Sequence, residues 1–462
     1  MSDVHLCEGL AGSGPWMRWR QKTLFPDDEF NALVDALLGS LAAPEDSLEL
    51  VFNGDLFDFD ASRVIEGDVR FEDLPRTEAV AVELLERVLN DHTGYVQALG
   101  RLLAGGHRVV FISGNHDPQL TFPAVRQRLR ERLVKASEDP SARDRVLFRA
   151  WFHQSHGVHV EHGNQYDPYC SFRYPMTPAD PKDRMIPPTV GSIAFRYLAS
   201  RMGYFNPHVE ETFMLGLTGY LSHWARNYLF TRRSLGVTWA WGSVQVVLQT
   251  ALHRARDTPE RRRENILAAR GETGHPEALL EAHARLFATP ADETIHRVAR
   301  EFWLDRILLG AVCALAVTSP WYAPKRLALP LAIGLPALFC AYELTMPAVG
   351  MENVYADIAA VAPKIAGLYG LRGVVFGHTH QPYGYNLDGV FYGNSGSWGA
   401  EYPTPSEDEG TDPQGKPLVW LRADAVGLRG GLYRWKDGSL APDTGLEHVP
   451  KAFSQPPVPE AA

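Results

Sequence analysis

Through its first 160 or so residues the chain alternates short apolar runs with stretches of helical spacing, and each apolar run breaks off in a polar turn. Leu48–Phe52 (LELVF), Arg108–Ile112 (RVVFI), Val146–Trp151 and Val158–Glu161 read as strands. Thr77–Ala104 sets Val80, Val82, Leu84, Leu85, Val88 and Leu89 at helical spacing and closes on Gly105-Gly106. Pro123–Lys135 reads as an exposed, Arg-rich helix with the proline tolerated in its first turn. Such alternation predicts a layered α/β domain. After Asp167 the strand punctuation stops and returns at Gly373–Phe376 (GVVF), followed by Val390–Tyr392, Pro417–Ala423 and Val426–Arg434 as closing antiparallel strands. The pattern therefore divides the chain into two parts of one domain, 1–167 and 352–441. A helical insertion, 168–351, lies between them, and a Pro-rich tail expected to be disordered follows at 442–462.

Within the insertion, two uncharged runs, Ile307–Ala323 and Leu327–Tyr342, flank Pro324-Lys325-Arg326. Each falls short of the ~20 residues a spanning helix needs, and Pro320, Pro330 and Pro336 interrupt them. Three readings stand: a two-pass hairpin, a monotopic hairpin dipping into one leaflet, and burial within the insertion. The short lengths and the prolines favour the second, with membrane lipid as partner. Trp321 and Tyr322 beside Lys325 and Arg326 suit an interfacial level or a helix–helix turn.

Composition narrows the function classes. With 45 basic against 55 acidic residues among 462, the net charge is −10, which argues against a general nucleic-acid binder. Cys7, Cys170, Cys313 and Cys340 form no CxxC pair, which suits a reducing compartment. The opening MSDVHLCEG has no apolar run of the signal-peptide kind. The expected location is cytoplasmic, at the inner face of the membrane if the hairpin is monotopic.

Five separated clusters share one chemistry: Asp3-Val4-His5, Gly54-Asp55-Leu56-Phe57-Asp58, Gly114-Asn115-His116-Asp117, His162-Gly163 and Gly377-His378-Thr379-His380. Four of them follow an apolar run directly, and loops at the carboxyl ends of strands converge on one crevice in an open α/β sheet. Carboxylates mixed with imidazoles suit Mn, Fe or Zn. In this order the clusters resemble the signature of the calcineurin-like metallophosphoesterases: D-x-H, G-D-x-x-D, G-N-H-D/E, H and G-H-x-H. The resemblance implies a layered sandwich of two mixed sheets flanked by helices and two divalent metal ions, manganese foremost, with iron or zinc as alternatives. It implies Asp3, His5 and His380 on one metal, Asn115, His162 and His378 on the other, and Asp55 bridging them. Asn394-Ser395-Gly396-Ser397-Trp398 resembles the small-residue turn that follows G-H-x-H in that family. His162-Gly163-Asn164-Gln165-Tyr166-Asp167 is similar to the H-G-x-x-x-D stretch of bacterial UDP-diacylglucosamine pyrophosphatases, which usually carry Arg where this chain has His116.

The residue types support phosphoester hydrolysis. Two metals ~3.5–4 Å apart clamp a phosphoryl group and activate a bridging hydroxide for in-line attack. His116 is the natural proton donor to the leaving oxygen. Asp117 is expected to orient and charge that imidazole, and Asp58 to support a ligand histidine from behind. The expected substrate is a phosphate mono- or diester or pyrophosphate, lipid-linked or membrane-associated under the hairpin reading. The alternatives are a soluble phosphatase or nucleotide pyrophosphatase with the insertion as lid, and a silent scaffold. Asp167 suits a turn or a site equally. His153, His156 and His159 are not expected to share a site, and Arg261–Arg263 reads as a solvated helix face. In the family an apolar strand delivers D-x-H, yet only Met1 and Ser2 precede Asp3. A missing first strand is the favoured expectation, and an unsupported first motif the alternative.

Overall fold

The computed structural model describes residues 1–11, 16–41, 46–65, 68–71, 74–203, 206, 208, 235–321, 324–345, 354–400, 415–424 and 427–443. The expected tail beyond Asp443 lies outside these residues.

The chain is mixed α/β, with several sheets of mixed orientation. Helix α1 (Asp27–Gly39) precedes β1 (Glu49–Asn53) and a short hairpin, β2 (Arg63–Ile65) with β3 (Asp68–Arg70). Helices α2 (Glu78–Asp91) and α3 (Thr93–Ala104) lead to β4 (Arg108–Ile112), and α4 (Pro123–Ser137) leads to β5 (Val146–Arg149). Strands β1, β4 and β5 form an all-parallel sheet in that order. Phe52, Phe111 and Phe148 stack across it at 5.4 Å steps, and Phe30, Leu33, Leu85, Leu102 and Leu129 from the four helices join the same core.

The second sheet is mixed and five-stranded. It contains β6 (Phe152–Ser155), β7 (Val158–Glu161), β8 (Gly373–Phe376), β9 (Tyr383–Leu387) and β10 (Val390–Asn394), ordered β6-β7-β8-β10-β9. An antiparallel sheet of β11 (Lys416–Ala423), β12 (Leu428–Lys436) and β13 (Ser439–Pro442) completes the strands. The expectation of two mixed sheets is therefore corrected: one sheet is purely parallel, one is mixed, and a third is antiparallel. Asn53 joins the first two, its carboxamide donating to the carbonyls of Glu161 (3.0 Å) and Val375 (3.4 Å).

Between β7 and β8 the described residues contain helices and no strand. These are α5 (Val190–Tyr197), α6 (Leu235–His253), α7 (Pro259–Thr273), α8 (Glu277–Ala284), α9 (Ile295–Glu301), α10 (Leu304–Thr318), α11 (Lys325–Thr345) and α12 (Val354–Tyr369). Ile358, Ala362 and Ile365 of α12 share a core with Val374 and Phe376 of β8 and with Ile193 and Tyr197 of α5.

Three local departures have physical causes. The stretch read as one helix, Thr77–Ala104, breaks at His92, whose ring is held by Asp27 Oδ2 (2.8 Å) and the Cys7 carbonyl (3.0 Å). Val146–Trp151 stops at Arg149, because Trp151 turns its indole to donate to Glu161 (2.8 Å). The first motif is supported after all. Met1–Leu6 runs beside Asn53–Phe57, with Asp3, Val4, His5 and Leu6 donating to carbonyls of Gly54, Asp55 and Leu56.

Gly100 lets α3 press against α4: a Cβ there would meet the Ala136 carbonyl carbon and oxygen at 2.7 Å. Gly100→Val should lower stability by about 1–3 kcal/mol, read by chemical denaturation. In an unpacked helix, replacing glycine would instead be neutral or stabilising, so that sign would disprove the close approach.

Candidate metal centre

The five clusters lie at the ends of the elements that deliver them. Asp55 follows β1, Asn115 follows β4, His162 follows β7 and His378 and His380 follow β8, while Asp3 and His5 ride on the segment hydrogen-bonded beside β1. Two groups form. In the first, His380 Nε2 lies 3.2 Å from both Asp3 Oδ1 and His5 Nε2. In the second, His162 Nε2 lies 3.1 Å from Asp55 Oδ2 and 3.2 Å from Asn115 Oδ1, and His378 completes a cluster with Asp55 and His162 whose ligand atoms lie within 4.8 Å of one another. Asp55 also falls within that distance of His5 and His116, so its carboxylate faces both groups. All seven residues named as ligands on sequence grounds thus come together.

The backbone is bent to achieve this. Asp3, His5, Asp55, His378 and His380 all have φ between 52° and 66°, the left-handed region that most L-residues avoid. The motif glycines explain why no side chain is tolerated beside them. A Cβ on Gly54 would lie 2.3 Å from the His162 ring, one on Gly114 would lie 2.1 Å from Asp55 Oδ1, and one on Gly377 would lie 2.8 Å from Asp3 Oδ2. Each glycine makes room for a side chain of another cluster.

The electrostatics follow from burial of like charges. Burial opposes ionisation of Asp3 and Asp55, yet the neighbouring imidazoles hold both carboxyls below the usual range: His380 and His162 for Asp3, His162 and His116 for Asp55. In return, against the effect of burial, Asp55 and Asp3 push His162 up to about 9. His5 is driven the other way by burial and by His208 and His116, which favours its neutral, ligating form. Tautomers are set from behind: His162 Nδ1 lies 2.8 Å from the Asn53 carbonyl and His380 Nδ1 2.8 Å from that of His208. Both Nε2 atoms are thereby turned inward. Asp3 Oδ1, buried, finds no hydrogen bond. An anionic, imidazole-rich cradle with an unsatisfied carboxylate oxygen fits divalent cations well.

Two expected roles are corrected. Asp117 does not serve the His116 ring. Its Oδ1 accepts from Gly114 N (2.6 Å) and Asp55 N (3.4 Å), and its Oδ2 from Leu56 N (2.9 Å) and Phe57 N (3.2 Å), so it pins the Gly54–Asp58 turn. The imidazole's partner is Asp58, with Oδ1 3.1 Å from His116 Nδ1; Asp60 lies at 3.5 Å. Burial disfavours the charged ring, but Asp55 and then Asp58 outweigh it and push His116 up to about 10. The other Asp58 oxygen lies 3.2 Å from His208 Nε2.

Sequence reading missed His208, which the insertion supplies. Its ring stacks on His5 at 3.9 Å, and no motif or spacing around it gave a signal. Asp167 fulfils both of its readings: Oδ1 accepts from Tyr169 N in a turn (2.7 Å), and Oδ2 lies 3.0 Å from His378 Nε2. The histidines at 153, 156 and 159 sit on a hairpin and diverge, His153 to Glu49 and His159 to Glu161. Arg261 is buried rather than solvated, donating to the carbonyls of Thr177 and Ala179 and lying over Tyr174, whereas Arg262 and Arg263 are exposed.

Neither a protein-family model nor a curated protein matches the chain.

Proposed function

We propose that the protein is a two-metal phosphoesterase acting on a phosphate mono- or diester or a pyrophosphate. The observation that carries this reading is the convergence of five separated motif clusters, with the Asp55 carboxylate facing both groups. The resemblance of those clusters to the calcineurin-like signature supports the same chemistry. Asp3, His5 and His380 would hold one divalent ion, Asn115, His162 and His378 the other, and Asp55 both. Two bound ions supply charge neutralisation at a phosphoryl group and a water activated at neutral pH.

The chain's own residues do the rest. The Asp58 carboxylate accepts the Nδ1 proton of His116 and fixes the ring, leaving Nε2 as the position from which a proton is given to the leaving oxygen. His116 and His380 carry the exposed edge of the centre, with side chains 13% and 23% exposed, so a substrate approaches there. Phe195 of α5 stands edge-on to the His116 ring at 4.8 Å and bounds that side with an apolar wall. Asp117 keeps the Asp55 loop in register through its four amide contacts.

Screening the Mn-loaded protein against monoesters, diesters and pyrophosphates tests the reading, and inactivity on all three classes would end it. His116→Asn should leave metal content unchanged and lower turnover by roughly 10²–10⁴, with the smallest loss on nitrophenyl esters, whose leaving groups need little protonation. An equal loss on good and poor leaving groups would give His116 a different role. Gly114→Ala should weaken Mn binding ~10-fold or more by displacing Asp55, as measured by calorimetry. Gly271→Ala, with open space around its Cβ, is the control. Unchanged affinity in Gly114→Ala would remove Asp55 from the ligand set.

A further inference from the structure

We propose that the hairpin of α10 and α11 is embedded in a lipid bilayer. Along Leu304–Trp321 the buried residues are Ala316 and Ser319, and in the facing helix Ala328 is buried, its carbonyl accepting from the Ser319 hydroxyl. Small residues thus make the helix–helix contact, as in helix pairs that associate within lipid. The large apolar side chains point outward. Leu308, Leu315, Leu329, Ile333 and Leu338 are each exposed by 60% or more.

The distribution of that exposure selects the occupant. It recurs at Leu308, Val312, Leu315 and Val317 on α10 and at nearly every turn of α11, so it covers more than one face of each helix. A protein partner or a second copy would cover one face. Acyl chains surround a hairpin on all sides, and helices satisfy their own backbone polar groups there.

Length and ends agree. Leu304–Trp321 is long and apolar enough to cross a membrane: at ~1.5 Å per residue it extends about 27 Å, against a hydrocarbon core of ~30 Å. Trp303 and Trp321, 57% and 86% exposed, stand at its two ends, where indoles settle at membrane interfaces. In sequence, the charge of the hairpin is confined to the helix ends: Asp305, Arg306 and Glu343 toward the base, Lys325 and Arg326 toward the tip. The Asp305 carboxylate accepts from Tyr342 and closes the base of the hairpin. Helix α6 packs on both α10 and α5, and α5 carries the Phe195 wall of the metal centre. The centre is therefore tethered to the bilayer through two helices.

This inference rests on exposure and geometry and not on the phosphoesterase reading, so the test uses no activity. The full chain, purified in mild detergent, carries a natural probe position in Cys340, which is exposed. Cys7 is buried, and Cys170→Ala with Cys313→Ala removes the two partly exposed thiols. With a nitrobenzoxadiazole label on Cys340, the protein is reconstituted with 3:1 phosphatidylcholine–phosphatidylglycerol vesicles. It should float with them, and nitroxide placed on the acyl chains should quench at least half of the label's emission. The double variant Leu315→Lys, Ile333→Lys alters two outward-facing positions, so its circular dichroism and melting should be unchanged, while flotation should fall at least tenfold. An intact chain that stays monomeric in the aqueous fraction without detergent overturns the proposal. So does a soluble oligomer in which the label resists quenching, which would make a second copy the occupant.

Discussion

Asp3, Asp55, Asp58 and Asp117 are among the carboxylates buried within one cluster of loops, and much of the centre answers the cost of putting them there. Unpaired charges in such surroundings are prohibitive. Each is matched differently. Asp117 takes four backbone amides, Asp58 lies between the imidazoles of His116 and His208, Asp55 takes the His116 amide (2.7 Å) and faces His162, and Asp3 takes the His378 amide (3.1 Å) and faces His380. One member differs in kind. Asp117 is pushed up to about 7 by burial and by Asp55, against the pull of the Gly114 and Phe57 amides.

Compensation by amides and rings requires close approach, and close approach explains the backbone. Five left-handed residues cost roughly 1 kcal/mol or more each, a sizeable share of a domain's net ~5–15 kcal/mol. The strain is carried by the parallel sheet and its four helices, whose stacked phenylalanines hold β1, β4 and β5 in register. A loop cross-braced by its own carboxylate and held in this backbone is preorganised.

How much was legible depended on whether the signal was local. The strands that end in motif turns were readable because an apolar run followed by Gly-Asp, Gly-Asn or Gly-His is punctuation with a steric cause, the cause later visible in the 2.1 Å approach of Asp55 to a Cβ on Gly114. The roles of Asp58 and Asp117 were not, since adjacency in sequence suggested that Asp117 would serve its neighbour His116. In the tight turn the two side chains diverge, and the partner arrives from a loop 58 residues away. His208 was invisible for a different reason: it reaches His5 from an insertion with no strand pattern to aim it. Of the hairpin β6–β7 only Val158–Glu161 was readable as a strand; Phe152–Ser155 was not, and the turn at His156-Gly157, with φ of 51° and 77°, separates the two.

Besides the Phe195 wall beside His116, the insertion meets the centre and its supporting strand at two further places, and this bears on how it can be dissected. On one side His208 stacks on His5 and accepts from His380. On the other, His283 of α8 lies 3.3 Å from Glu161, the residue before His162, in a network that also includes His159, Tyr166 and Trp151. Glu161 is buried but receives donors from enough sides to remain ionised, its carboxyl held down to about 2 chiefly by His283 and His159 against the effect of burial. Breaking such a fully paired buried carboxylate costs several kcal/mol. Removal of the whole insertion would therefore strip partners from His5 and unseat the strand that carries His162, so a loss of activity would say nothing about the apolar hairpin. The hairpin touches the rest of the chain at its base, through α6 and α9. Its outward residues can be changed without reaching either contact, which makes single positions on α10 and α11 the instrument that separates anchoring from chemistry.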